Sequence, residues 1–393
     1  MKPQIYKCQK IDVKKRSKKV IFFLVLLMQF ANAQELALVR KEGKFGYISK
    51  TGEFAIMPQF KTAKNFSEGL AAAEENKKWG FINTKGEWII PATFDDVKYF
   101  NSGYCVVAKD KKWFYINKKG EQQKAPNSDK VYDFEEGVAF IKQGDKIGLI
   151  NTKLTVILEP KYDVIKSFQN GFARVKNNDR WGIIDKTGKI VVEIIYDDIG
   201  DYYKKTTWAK NGTAFGLVIL GKFKAIEGVD KIWDFLAQDL TYAKKNEKIG
   251  FIDLKGNWII EPKFDKARAF VKNLAPVQIG KKWGYVNLKG TIAIEPLYND
   301  AEIFSADGLA PVKDKEWGFI NETGKLVVPC EYGITAGLFA MFRDDEKGFV
   351  NGLARVKKEK KWGFLKINGE ALANQWFDSA EPFKKEYNVR QAG

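Results

Sequence analysis

The sequence predicts an all-β protein, a tandem array of ten repeats of about 34 residues, each built from three strands. Three observations carry that prediction. A glycine-marked phrase returns at a fixed interval, the apolar runs are too short for helices, and glycine punctuates the copies, usually with a proline. The phrase is KKWGFINTKGEWIIP at 77–91, repeated with variation as EKIGFIDLKGNWIIEP and KKWGYVNLKGTIAIEP.

Indexed on the glycine of the Trp-Gly pair, the copies fall at Gly46, Gly80, Phe114 (in the same slot), Gly148, Gly182, Gly216, Gly250, Gly284 and Gly318, in steps of 34. Gly363 follows after 45, which places an 11-residue insertion near 331–348. A helical repeat of the same period fails on content, because Gly and Pro inside a helix cost about 1 and 3 kcal/mol. Runs of four or five apolar residues bounded by turn residues follow the pattern of strands.

Within one copy the elements come in order. Strand a is the GLAxVK segment, as at Leu70-Ala71, Phe172-Ala173 and Leu353-Ala354, followed by a short polar turn. Strand b is WGFIN. The next turn has Asn or Asp three residues before Gly, as in Asn83…Gly86 and Asp253…Gly256. The Asx side chain opens a type I turn and the glycine supplies the positive φ of a bulged hairpin. Strand c is expected to end at Pro58, Pro91, Pro160, Pro262, Pro296 and Pro329, since proline lacks the N–H that a ladder needs. An aromatic-Asp pair then leads onward, at Phe94-Asp95, Tyr132-Asp133, Tyr162-Asp163 and Phe264-Asp265.

The phrase WGFIN…G…I-P…F-D…F…GLA resembles the WG (KWG) repeat found in arrays in bacterial proteins. The resemblance covers about residues 37 to 390 in ten copies. It implies an all-β array and brings no reaction, catalytic residue or ligand with it. Copies depart from it where Phe45, Ile147, Phe215 and Ile249 replace Trp, and where 197–248 lacks both the Pro and the GLA.

Those replacements bear on what the tryptophans do. A slot that accepts Trp, Phe and Ile is a core slot rather than a stacking platform. Trp79, Trp113, Trp181, Trp283, Trp317 and Trp362 are therefore expected in the repeat core, with Gly80, Gly182, Gly284, Gly318 and Gly363 leaving room for indoles against backbone. One repeat cannot bury its own apolar face, whereas stacked copies can share one. The chain opens with strand a at 37–40 and ends on a capping strand at about 386–391 in the same slot. A ring of complete units needs no cap, so an open β-solenoid or superhelical stack is expected over 34–393, with a propeller-like ring as the alternative.

The first 33 residues form a basic run, the apolar stretch 20–30 and Ala31-Asn32-Ala33, the order of a secretory signal peptide. An apolar core spanning 11 residues falls short of the roughly 20 that cross a bilayer. The mature chain is expected to be soluble, and periplasmic or extracellular. The leader carries eight Lys/Arg and one Asp, so its removal takes the formal charge from +17 to +10. Cys105 and Cys330 remain, with nothing in their spacing that asks for a disulfide. The chain contains no histidine, which removes Ser-His-Asp and Cys-His nucleophile pairs and His-ligated zinc. No D-x-D-x-D-G calcium loop and no phosphate-cradling glycine loop is present, so no cofactor, metal or nucleic acid is expected.

Two binding features remain. A cation precedes the Trp slot at Lys44, Lys78, Lys112, Lys146, Arg180, Lys248, Lys282 and Lys361, broken by Ala214 and Glu316. In a regular array these residues make a ladder, read either as a track for an anionic polymer or as edge protection. The insertion carries Leu338, Phe339, Met341 and Phe342, read as a partner contact or as a patch on the array. The expected function is a non-enzymatic scaffold that binds a protein or an anionic cell-envelope polymer. The alternative is an envelope glycan-acting enzyme using paired carboxylates.

Overall fold

The computed structural model describes residues 35–334 and 347–383. The leader, the capping strand near 386–391 and the insertion residues Leu338, Phe339, Met341 and Phe342 lie outside them. Each copy of the repeat forms one small antiparallel sheet, here a blade; nine run in the order short strand, a, b, c, and the last, among the described residues, has the short strand, a and b. Blade 5 is representative, with Val164–Ile165, Phe172–Asn177, Arg180–Asp185 and Ile190–Tyr196. The two-residue first strand was read from the sequence as connection. It is too short to carry an alternation of its own.

Both turns follow from the residues in them. Strands a and b of blade 2 join through Asn76 and Lys77 at φ 51° and 63°, the pair of positive angles a two-residue type I′ turn requires. Strands b and c join through the Asx turn. Asn83 Oδ1 accepts the N–H groups of Lys85 and Glu87 at 2.9 and 3.0 Å, and Gly86 sits at φ 83°.

Strand c does not end at its proline. Trp79 pairs with Phe94 and Phe81 with Ile90, so three residues of strand c, Pro91 among them, oppose the single residue Gly80. The prolines occupy a bulge, where the ladder is already broken and a missing N–H costs nothing. The bulge also explains the glycine. A Cβ on Gly80 would lie 2.5 Å from Ile90 O and 2.6 Å from Ala92 N, and one on Gly318 would lie 2.5 Å from Val328 O. What crosses the glycine is the backbone of strand c. An indole lies there only at Gly250, beside Trp258, and at Gly363, beside Trp376.

Strand a is buried on both faces. Leu70 and Ala72 belong to the core shared with blade 3, whereas Ala71 and Ala73 belong to the core shared with blade 1. The same holds around the molecule, and ten such cores are present, each joining consecutive blades. Ten layers in an open stack have nine interfaces. The tenth core joins Leu353, Phe364 and Phe377 to Ala37, Val39 and Ile48. Ser379–Ala380 supplies the short strand of blade 1, pairing with Arg40 and Val39. The array is therefore a closed ten-bladed ring of the propeller type, and the open stack is corrected. The diverged stretch 197–248 folds into ordinary sheets; a tight turn at Leu220-Gly221 lets strand b meet Lys222–Ala225 without the bulge.

Two outcomes are expected. Gly318→Ala should lower stability by about 1–3 kcal/mol in denaturant titration, because its Cβ has nowhere to go. Val39→Ala and Phe377→Ala should couple in a double-mutant cycle by about 0.5–3 kcal/mol. Strict additivity would place the chain ends apart and open the ring.

Candidate functional site

The cation ladder lies where each blade meets the next. Lys146, the first residue of strand b in blade 4, reaches Asp163 Oδ1 at 2.6 Å, and Asp163 Oδ2 accepts the N–H of Asn178 in the type I′ turn of blade 5 at 2.8 Å. One carboxylate thus ties a cation of one blade to the turn of the next. Lys248 and Asp265 repeat this at 2.5 Å, with the Gly280 N–H at 2.6 Å. Lys78 pairs with Asp95 and Arg180 with Asp197 in the same way. Lys282 does so with a neutral partner, Asn299 Oδ1 at 2.8 Å. Lys361 pairs with Asp378, whose other oxygen takes the Gly43 N–H at 3.2 Å, so the motif also spans the closing seam.

Two rungs of the ladder differ. Lys44 faces a register position held by Lys61 and gives only a long bond to Gln59 O at 3.5 Å. Lys112 has no ion pair among the described residues, although Asp129 stands in register and accepts the Gly144 N–H at 2.7 Å. Blade 4 thus uses Ser128-Asp129 where the sequence pointed to Tyr132-Asp133. Asp133 is instead buried and bound by Lys98 at 3.1 Å.

Sequence reasoning missed a second column between blades. The residue three before strand a's alanine slot accepts N–H groups one repeat later. Glu68 holds Gly103 at 3.0 Å, Ser102 holds Gly137 at 3.0 Å, and Glu136 holds Asn170 and Gly171 at 2.9 and 2.7 Å. The polar residue before each Gly-Leu-Ala was the available signal.

The tryptophans divide. Trp283 and Trp317 are buried, at 6% and 8% exposure, and the Arg268 guanidinium stacks on Trp283 at 4.5 Å. Trp79, Trp181 and Trp362 are half-buried, with Lys64 and Arg355 over the first and last at 5.1 and 4.9 Å. Trp113 departs from the expected core role and is 42% exposed. Cys105 and Cys330 lie in blades 3 and 9, and neither is in a disulfide; burial pushes the Cys105 thiol up. Among the described residues no cluster of three metal-ligating side chains occurs, and no helix is long and apolar enough to cross a membrane.

Two of the cavities among the described residues lie between neighbouring blades. One of about 600 Å³ lies where Phe304 of blade 9 faces Phe349 of blade 10. Glu302 at its edge is held by Arg268 at 3.3 Å and Lys347 at 2.7 Å. The other, about 320 Å³, opens beside Trp113 between blades 3 and 4.

A family model described as WG containing repeat matches residues 45–79, 79–113, 113–146, 147–181, 181–212, 249–283, 283–316, 317–333 and 347–362. Comparison with curated proteins gives no match. Similar solved structures include a eukaryotic initiation factor (11% identity, TM-score 0.45, covering 92% of this chain and 100% of that one). Hsv2 of Kluyveromyces lactis is another (10% identity, TM-score 0.31, 61% and 90%). A third is the dihydro-heme d1 dehydrogenase NirN (12% identity, TM-score 0.33, 76% and 73%). These scores are too low to speak to function.

The clasps make stability depend on pH. The cation, and then the turn N–H, hold the carboxyls of Asp95, Asp163, Asp265 and Asp378 below the usual carboxylate range. A depressed carboxyl adds stability above its unfolded value, about 3.9, and loses it as pH falls through the folded value. Replacing all four with Asn should flatten the fall in stability between about pH 4 and pH 2 in denaturant titrations. An unchanged acid slope would show that the clasps contribute nothing.

Proposed function

The chain belongs to the family of WG-containing repeat proteins, and from that premise we propose that it is an exported, non-enzymatic ring that binds an anionic polymer of the cell envelope. The observation that supports this reading is how the recurrent side chains are used. Lys78, Lys146, Arg180, Lys248 and Lys361 are tied to carboxylates of their own ring, so they serve assembly. Binding is left to places where the repeat fails, and blade 3 is one. There Lys112 stands outside any clasp, beside the exposed Trp113. The surplus of Lys and Arg over Asp and Glu draws in polyanions by long-range attraction. The enzymatic alternative needs a carboxylate pair free to exchange protons. The recurrent Asp95, Asp163 and Asp265 are each held by a cation and a backbone N–H, which favours binding over hydrolysis.

Co-sedimentation of the mature chain, 34–393, with insoluble envelope polysaccharide tests the proposal. Pelleting at low salt that fades at high salt is expected, since screening weakens such contacts. Lys146→Gln should pellet as the parent does, because that cation is already paired with Asp163. A protein that stays in the supernatant at both salts overturns the reading, and capture of a protein alone would replace the polymer with a protein partner.

A further inference from the structure

In blade 3 the repeat gives up most of its third strand. Phe114 stands in the glycine slot, and the segment after the hairpin pairs only over Gln122–Gln123 before leaving the sheet. The two changes belong together. With no bulged strand crossing overhead, a benzyl group fits where other blades accept only hydrogen. The vacated space is the 320 Å³ cavity, walled by Phe114 and by Phe140, Ile141 and Ile150 of blade 4. Its volume lies at the low end of the roughly 300–1,000 Å³ found for small-molecule sites, enough for one ring-sized group.

The rim of this cavity has a definite chemistry. Trp113 presents an indole at its mouth, and Gln122, Gln123 and Asn127 bring amides that both donate and accept. Lys124 and Lys130 bring exposed ammonium groups, and no carboxylate is among the lining residues. Lys112 adds a third cation next to Trp113, unclaimed by an ion pair among the described residues. An indole face attracts the electropositive C–H face of a sugar ring. Amides match hydroxyls in both directions, and the cations match a carboxylate on the same ring.

We propose that the blade 3 cleft binds a carboxylated sugar, a uronic-acid unit of an acidic polysaccharide, stacked on Trp113 with its carboxylate toward Lys124 and Lys130. The proposal rests on the polymer-binding reading above and names its contact point. An aromatic side chain of a protein partner would also use the indole, but would make no use of the Gln122 and Asn127 amides; the Gln123 amide already donates to Glu121 O at 2.9 Å.

Calorimetric titration of the full chain with trigalacturonate, and with a neutral galactose trisaccharide, tests it. The acidic sugar should bind, the neutral one roughly tenfold more weakly, and the difference should shrink at high salt. Trp113→Ala should weaken binding of the acidic sugar roughly tenfold at an unchanged melting temperature. Lys124→Gln with Lys130→Gln, both at the surface, should remove the preference for the acidic sugar while leaving the fold intact. Equal binding by the Trp113 variant, equal affinity for both sugars, or no sugar binding each overturns the site. If the parent and the Trp113 variant still pellet alike with envelope polymer, this site fails while the polymer reading stands. If the parent does not pellet, both fail.

Discussion

A sheet that is apolar on both faces needs a neighbour on each side, and every other feature of this protein answers to that requirement. Strand a alternates its side chains between two cores, so no blade can be terminal without exposing one of them. An open array would need polar outer faces on its first and last repeats. Here the first face, with Ala37, Val39 and Ile48, meets the last, with Leu353, Phe364 and Phe377. The small alanines of the a strands fit the same demand for close approach between sheets.

Burial of apolar surface brings the sheets together, but it is non-directional and sets no register between them. Register comes from polar groups at the junctions. The aspartate that follows strand c accepts from a cation behind it and a turn N–H ahead of it, fixing where one blade stands against the next. The residue before Gly-Leu-Ala does the same elsewhere on the sheet. Exposed ion pairs of this kind are each worth about 0–1 kcal/mol. Their contribution is geometric, repeated at half of the ten junctions. The junction at Lys112 lacks the clasp and is crossed instead by Lys98 to Asp133 and by the Gly137 N–H to Ser102 Oγ, over its apolar core.

The sequence revealed columns and concealed neighbours. Lys146 and Asp163 were both visible as recurrent residues half a repeat apart, yet nothing along the chain says that half a repeat brings two side chains together. The prolines were read as strand ends because a missing N–H stops a regular ladder. A bulge three residues deep over Gly80 depends on how strand c returns, which no local pattern records. Ser379–Ala380 carries no strand signal of its own and acquires one only from the open edge of blade 1. The exposure of Trp113 was legible in principle. Phe114 in a slot that elsewhere needs glycine implies that nothing crosses there, and the polar GEQQKAPNS after it cannot supply strand c.

Closure through the last blade also orders events in time. Nine of the ten cores join segments adjacent in the chain and can form as each repeat emerges, at little loop-closure cost. The tenth joins residues near 40 to residues near 380 and cannot form until nearly the whole chain is present. Until then both end blades expose an apolar face and an unpaired strand edge, the features that invite association with a second chain. A half-made ring is thus complementary to another half-made ring, and the seam is the place where this protein must outpace its own copies.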